Sequence, residues 1–95
     1  MLEEFPESIT VGCNDYEIIW TDKLVEGGNL AITDFQHCTI RISYQCLDIK
    51  WQILLHEILH IIDHVYNANK LDEDTIERLS HGLLQVIKQL DERGE

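Results

Sequence analysis

The centre of the chain reads Ile53-Leu54-Leu55-His56-Glu57-Ile58-Leu59-His60-Ile61-Ile62. Apolar residues recur here with the period of an α-helix, and Asp48 is of a type that caps helix N-termini, so we predict a helix over about residues 48–67. At 100° per residue, one broad face is apolar and a sector about 120° wide is polar. The apolar face contains Leu54, Leu55, Ile58, Leu59, Ile61, Ile62, Val65 and Tyr66. The polar sector contains His56, Glu57, His60, Asp63, His64 and Asn67.

A second helix is predicted over about residues 72–91. Asn67-Ala68-Asn69-Lys70 interrupts the first helix, and either Asp72 or Asp74 is a suitable N-cap for the second. The apolar residues that follow have helical spacing and predict one buried stripe. The members of this stripe are Ile76, Leu79, Leu83, Leu84, Ile87 and Leu90.

The first half of the chain predicts β-strands. Ser8–Cys13 and Tyr16–Thr21 are rich in β-branched and aromatic residues, and the turn-forming residues between them indicate a hairpin. Leu30–Asp34 and Thr39–Tyr44 predict a second pair of strands. The alternation around Arg41 places its two isoleucine neighbours on one face of the sheet and the arginine on the other.

Length and charge limit the class of protein. The 95 residues suit a single domain over 1–95, and its predicted class is α+β. A small, mostly antiparallel sheet from about residues 1–46 would pack against two C-terminal helices. Eighteen acidic residues against seven Lys and Arg give a net charge of −11, which disfavours binding to nucleic acid or anionic membranes. No apolar run is long enough to span a membrane, and the acidic N-terminus does not resemble a signal peptide, so we expect a cytoplasmic location.

His56-Glu57-Ile58-Leu59-His60 matches the H-E-x-x-H motif inside a predicted helix. Residues four apart lie one above the other on a helix, so both imidazoles can bind one Zn²⁺. Glu57 would point toward the open side of the metal, where it acts as the general base on zinc-bound water and later protonates a leaving amine. The polar sector carries no Lys or Arg, unlike an ordinary solvated helix face, and this favours a metal site.

A catalytic zinc site needs a third protein ligand, and Glu77 on the second helix is the first choice. Two alternatives stay open. Asp74-x-x-Glu77 resembles a capping box, in which Glu77 would bond to its own helix backbone. His64 continues the four-residue spacing of His56 and His60, but on a straight helix it would lie roughly 12 Å from His56, too far to share one ion.

Three further residues are candidates near the site. Asp63 is a possible second-shell acceptor for the free N–H of a ligand histidine, or else an exposed helix acid. His81, one turn after Glu77, is a candidate catalytic residue that orients Glu77 or donates to a substrate oxyanion, or else a partly buried polar residue. Tyr44 is a second candidate donor to the transition state.

The chain contains three cysteines at positions with no CxxC spacing, and we expect small buried hydrophobes rather than a disulfide framework. They are Cys13, Cys38 and Cys46. A fourth ligand from Cys38, Cys46, His64 or His81 would close the zinc site and make it structural.

The stretch from about Asn29 to Leu90 resembles the small phage-type members of the ImmA/IrrE family of zinc metallopeptidases. The matching pieces are Thr39-Ile40-Arg41-Ile42, Ile53-Leu54-Leu55-His56-Glu57-Ile58-Leu59-His60 and Thr75-Ile76-Glu77-Arg78-Leu79-Ser80-His81-Gly82-Leu83. The resemblance implies a gluzincin-like site with His56, His60 and Glu77 as zinc ligands and Glu57 as general base. Position 81 more often holds Asn in such sequences. Some longer members, which carry additional domains, cleave transcriptional repressors.

These features predict a zinc-dependent metallopeptidase that hydrolyses peptide bonds in a protein or peptide substrate, with Zn²⁺ as cofactor. The alternative is a metal-stabilised, non-catalytic binding or regulatory module of phage or mobile-element origin. A deformylase-like enzyme also has H-E-x-x-H, but it would need an upstream Cys ligand, for which the sequence has no companion motif.

Overall fold

A computed structural model of the chain describes residues 4–93 and confirms the α+β prediction. Four strands come from the first half: β1 (Ser8–Val11), β2 (Asn14–Thr21), β3 (Ala31–Asp34) and β4 (Thr39–Ser43). The second half forms the helices α1 (Lys50–Tyr66) and α2 (Glu73–Arg93), and short 3₁₀ segments occupy Glu26–Gly28 and Tyr44–Ile49. No helix among residues 4–93 has the length and apolar character needed to cross a membrane.

The sheet is mixed, because a parallel pair of strands joins its two hairpins. The strand order is β1-β2-β4-β3, and the β1–β2 and β3–β4 pairs are antiparallel, as predicted. β2 and β4 run parallel, with Ile18 opposite Ile40 and Trp20 opposite Ile42. The chain turns back through β3 before it enters β4, so β4 runs in the direction of β2. This order leaves β3 at one edge of the sheet.

The helix α1 begins later than the sequence predicts. Asp48 lies within the 3₁₀ segment, and Ile49 occupies the N-cap position without a side-chain cap bond. The prediction that Asp48 caps this helix is therefore wrong. Ser43 performs that role for the 3₁₀ segment, because its Oγ accepts a hydrogen bond from the backbone N–H of Gln45 at 3.1 Å.

The hydrophobic core lies between the sheet and α1. It contains Tyr16, Ile18, Ile40, Ile42, Cys46, Leu54 and Ile61, all buried. The predicted apolar face of α1 is wider than the face that is buried, since Ile62, Val65 and Tyr66 remain 39%, 37% and 70% exposed. The sheet covers only one side of the helix, so this part of the prediction is wrong.

Asp72 caps α2, which is the first of the two predicted alternatives. Its Oδ1 accepts a hydrogen bond from the backbone N–H of Thr75 at 2.7 Å. The hydrogen bonds from Thr75 hold the pKa of the Asp72 carboxyl below its ordinary value. Glu77 contacts His56 on α1, so its carboxylate does not turn back to form the capping box with Asp74.

Half of the residues in the predicted buried stripe of α2 are exposed. Ile76 is fully buried, whereas Leu79, Leu83 and Leu90 are 48%, 38% and 57% exposed. α2 packs chiefly against α1, and the sheet lies on the opposite side of α1. One flank of α2 is therefore covered within the chain, and the prediction of burial is wrong for these three leucines.

Candidate metal centre

The two histidines of the motif converge on one side of α1. Their Nε2 atoms lie 3.2 Å apart. Two nitrogen ligands with bonds of 2.0–2.1 Å in a tetrahedral arrangement would be separated by roughly 3.3 Å. One ligand atom each from His56, Glu57 and His60 lie within 4.8 Å of one another. The spacing of the histidines therefore fits one zinc ion.

Glu57 is fixed by the edge strand of the sheet. The residue is 7% exposed, and its Oε1 accepts a hydrogen bond from Oγ1 of Thr33 at 2.7 Å. Thr33 lies on β3, 24 residues earlier in the chain, and its side chain is on the face of the strand that meets α1. Thr33 is not predicted from the sequence, because no local pattern shows which strand residue will contact the motif. The only sequence feature that marks Thr33 is a hydroxyl side chain at an inward-facing position of a strand.

Two carboxylates of α2 reach the imidazoles. The Oε1 of Glu73 lies 2.5 Å from Nε2 of His56, and its Oε2 lies 3.0 Å from Nε2 of His60. The Oε1 of Glu77 lies 2.7 Å from Nδ1 of His56. Glu73 therefore faces the pair of nitrogens with zinc-like spacing, whereas Glu77 holds the opposite edge of one ring. Glu73 is not predicted as a site residue from the sequence, because an acidic residue in the first turn of a helix is ordinary.

Glu77 bridges two histidines. Its second oxygen lies 3.1 Å from Nε2 of His81, which fits the predicted role of His81 in orienting Glu77. Burial raises the pKa of the Glu77 carboxyl, but the hydrogen bonds from His56 and His81 outweigh that effect and hold the pKa below its ordinary value of 4.5. The carboxylate binds its proton more weakly when folded, so these contacts stabilise the fold above about pH 4.5. That stabilisation is lost as the pH falls through the lowered pKa.

The observed contacts favour Glu73 as the carboxylate beside the metal, with Glu77 orienting His56 from behind. Carboxylates that accept the free N–H of a ligand histidine fix its ring and its tautomer. That Glu77 is a direct ligand stays a prediction. It would require the Glu77 carboxylate to give up its contact with Nδ1 of His56 and to bind the metal instead. In either arrangement, the third protein ligand of a zinc ion would come from α2.

Single substitutions separate these two arrangements. We expect Glu77→Ala to weaken zinc affinity by about 10- to 100-fold, as is usual for a partner that orients a ligand, and Glu73→Ala to weaken it further. Competition with a fluorescent chelator measures both affinities. Asp74→Ala is the matched control, because Asp74 is an exposed acid of the same helix turn that pairs with Arg78 at 2.7 Å. A larger loss in Glu77→Ala than in Glu73→Ala would identify Glu77 as the ligand.

Asp63 anchors the loop between the helices. The residue is 4% exposed, and its carboxylate accepts hydrogen bonds from the Asn67 side chain at 2.9 Å and from the backbone N–H groups of Lys70 and Leu71 at 3.1 and 3.2 Å. The structure gives Asp63 these partners rather than a ligand histidine. By holding the loop, Asp63 sets where α2 begins, and so it positions the α2 carboxylates indirectly.

The remaining candidates lie among other partners. His64 contacts Asn69 at 3.2 Å and stacks on Phe35, and the Tyr44 ring stacks on Trp20. The Sγ atoms of Cys38 and Cys46 contact the backbone oxygens of Phe35 and Ser43. Among residues 4–93, none of these four joins the 4.8 Å group. All three cysteines are free, but only Cys46 is buried, and Cys13 is exposed, contrary to prediction.

A cleft of about 630 Å³ opens beside the histidines. One wall is residues 28–33 of the chain, and the other is formed by Ile53, His56, Glu57, His60, Glu73 and Glu77. The backbone N–H of Ser43 donates a hydrogen bond to the backbone oxygen of Leu30 at 2.8 Å. In an antiparallel pair, every second residue points its backbone N–H and C=O away from the partner strand. In β3 these residues are Ala31 and Thr33, whose backbone groups therefore point away from β4. The edge that borders the cleft can therefore pair with an extended peptide.

Comparison with protein-family models found no match, and neither the curated proteins nor the solved structures gave one.

Proposed function

We propose that this chain is a zinc-dependent metallopeptidase that cleaves an extended segment of a protein or peptide. The single observation that carries this proposal is the geometry of the motif. The Nε2 atoms of His56 and His60 are 3.2 Å apart, and a carboxylate oxygen of Glu57 lies within 4.8 Å of the histidine ligand atoms. The resemblance of the motif segments to the ImmA/IrrE family supports the same activity.

The donor set suits zinc. Two imidazole nitrogens and a carboxylate oxygen from α2 are the ligand types of catalytic zinc sites, which keep one position open. When bound, the ion supplies a Lewis acid that polarises the scissile carbonyl and makes water more acidic. Calcium and magnesium prefer all-oxygen sites, so the histidine pair disfavours them.

Glu57 moves the proton in this mechanism. Its carboxylate takes a proton from the attacking water and delivers it to the nitrogen of the leaving amine. The hydrogen bond from Thr33 occupies Oε1, so the other oxygen is the one available for proton transfer. Thr33 is therefore a positioning residue that limits the orientations of the base.

The substrate would bind as an added strand. Ala31 and Thr33 offer backbone N–H and C=O groups to an extended peptide along the edge of β3. Pairing there would align the peptide with the cleft that contains Glu57 and the histidines. A folded helix could not make this pairing, so we expect cleavage in unfolded or extended segments.

The Thr33 hydroxyl gives a specific prediction. We expect Thr33→Val to lower kcat by about tenfold with little change in KM, because the base loses its orienting hydrogen bond while the strand edge stays intact. Thr33→Ser should retain most of the activity, since it keeps the hydroxyl. Steady-state kinetics on a cleaved peptide measures both. Equal losses in the Val and Ser variants would assign the effect to packing instead.

The direct test is incubation of the zinc-loaded chain with a mixture of unfolded proteins. Mass spectrometry of newly formed peptide termini reads out cleavage. New termini that depend on both zinc and Glu57 support the proposal. Their absence from a sample shown to contain one zinc per chain contradicts it.

A second candidate is the metal-stabilised, non-catalytic regulatory module. The observation that favours it is the number of carboxylates, because Glu73 and the 7%-exposed Glu57 together with two histidines could fill four positions. Cobalt substitution distinguishes the candidates. Addition of acetohydroxamate should change the visible spectrum if one metal position is open, and should leave it unchanged if four protein groups close the site.

A further inference from the structure

One flank of α2 carries an apolar stripe that the described part of the chain covers only in part. Leu79, Leu83, Val86 and Leu90 are 48%, 38%, 51% and 57% exposed. Their spacing of four, three and four residues is the spacing of a helix-to-helix seam. We call these four residues the α2 stripe. A sequence pattern of this kind ordinarily marks a buried surface, and one chain alone does not supply the covering element.

The α2 stripe lies on a stretch of α2 that is poor in acidic residues. Residues 75–90 contain one acidic residue, Glu77, and two basic residues, Arg78 and Lys88, which gives a net charge of +1 within a chain of −11. The positions that flank a seam through the stripe are Thr75, Ser80, Gly82, Ile87 and Gln89, and none of them is charged. Two copies of a strongly acidic chain repel one another, so a face without acidic flanks is where they can approach.

Gly82 provides an independent observation. Glycine in a helix interior is less favourable than alanine, so it calls for a packing reason. Among residues 4–93, a Cβ at position 82 would meet no atom within 4 Å, so no close contact inside the chain explains the glycine. Gly82 lies at the edge of the α2 stripe, where the absence of a side chain would let a second helix approach closely.

We propose that the α2 stripe is the interface of a homodimer in which the α2 helices of two copies pack antiparallel. The spacing of four, three and four is the same in both chain directions, so a two-fold axis between residues 84 and 85 places Leu79 against Leu90 and Leu83 against Val86 of the second copy. Such an interface is isologous and closed, which gives a dimer rather than a filament.

A second copy suits this face better than a different protein. A different protein that binds an acidic chain would carry positive charge and would be attracted to a surface flanked by acidic residues. The flanks of the α2 stripe are neutral, so they do not attract such a protein. The stripe centre lies roughly 150° around α2 from Glu77, so the dimer leaves the cleft beside the histidines open. The interface therefore does not depend on the proposed activity.

Sedimentation equilibrium of the full chain, over about 5–500 μM in 0.15 M NaCl, tests the dimer. We expect the mass to rise from 11.1 kDa toward twice that value and no further. Val86→Glu should weaken association by roughly tenfold or more, because it buries a charge at the seam. Gln85→Glu is the matched control, since it adds the same charge to an exposed neighbouring position and should weaken association far less. Thermal unfolding of each variant verifies its fold.

The salt dependence adds a second readout. Association through an apolar seam between copies of charge −11 should strengthen as salt rises, because salt screens their repulsion. A chain that stays at 11.1 kDa at every concentration would overturn the proposal. Growth beyond a dimer, or equal weakening by the substitutions at positions 85 and 86, would overturn it as well.

Discussion

Glu57→Gln should lower kcat for peptide cleavage by about 10²- to 10⁴-fold while zinc stays bound. That range is the usual contribution of a general acid–base residue. Glutamine has nearly the shape of glutamate and keeps an oxygen that can accept the hydrogen bond from Thr33, but it cannot take a proton from water. The substitution therefore removes proton transfer and preserves the packing of the buried side chain.

Steady-state kinetics on the best cleaved peptide, with zinc content measured in the same samples, provides the test. Glu92→Gln is the matched control, because it removes one negative charge from an exposed position near the end of α2. The control should retain the activity of the natural chain. Equal kcat values for Glu57→Gln and the natural chain would refute the role of Glu57, and an equal loss in both variants would point to net charge.

Removal of zinc should lower the melting temperature by roughly 10–20 °C. A ligand at a hundred times its Kd stabilises the folded state by about 2.7 kcal/mol, and each kcal/mol moves the midpoint of a domain this small by about 4–8 °C. The physical reason is local charge. Glu57, Glu73 and Glu77 gather around two histidines in a chain of net charge −11, and a divalent cation offsets their repulsion.

Thermal melts with chelator, and with chelator followed by excess zinc, measure this effect. The His56→Ala and His60→Ala variants should lose the response to zinc. His37→Ala is the control, because His37 is exposed and pairs with Asp34 outside the cleft, and it should respond like the natural chain. A midpoint indifferent to chelator, in a sample shown to contain zinc, would mean that these histidines do not bind metal in the folded chain.

The features that sequence could predict are those set by local spacing. The period of apolar residues defines α1, and the four-residue spacing of His56 and His60 places both side chains on one side of the helix, where their Nε2 atoms lie 3.2 Å apart. The two hairpins follow from turn residues between β-rich runs. The parallel pairing of β2 with β4 could not be predicted in the same way, because it depends on which edge the second hairpin joins.

The contacts that complete the candidate site are nonlocal. Thr33 meets Glu57 across 24 residues, and Glu73 meets His56 across 17 residues through the packing of α2 against α1. Local sequence rules explain Glu73 as an ordinary acidic residue in the first turn of a helix, where acids are favourable for electrostatic reasons. They do not predict that it lies beside the histidines. The exposed leucines of α2 show the same limit, since a helical pattern marks a buried face without saying what covers it.

We propose that His56 and His60 hold one zinc ion together with a carboxylate of α2. An anomalous difference map from crystals of the zinc-loaded chain, recorded on both sides of the zinc absorption edge, tests it most directly. We expect one peak per chain, about 2.0–2.1 Å from both Nε2 atoms and in contact with Glu73 or Glu77, with one position not filled by protein. The absence of a peak between the two imidazoles, or a peak bound by other residues, would contradict it.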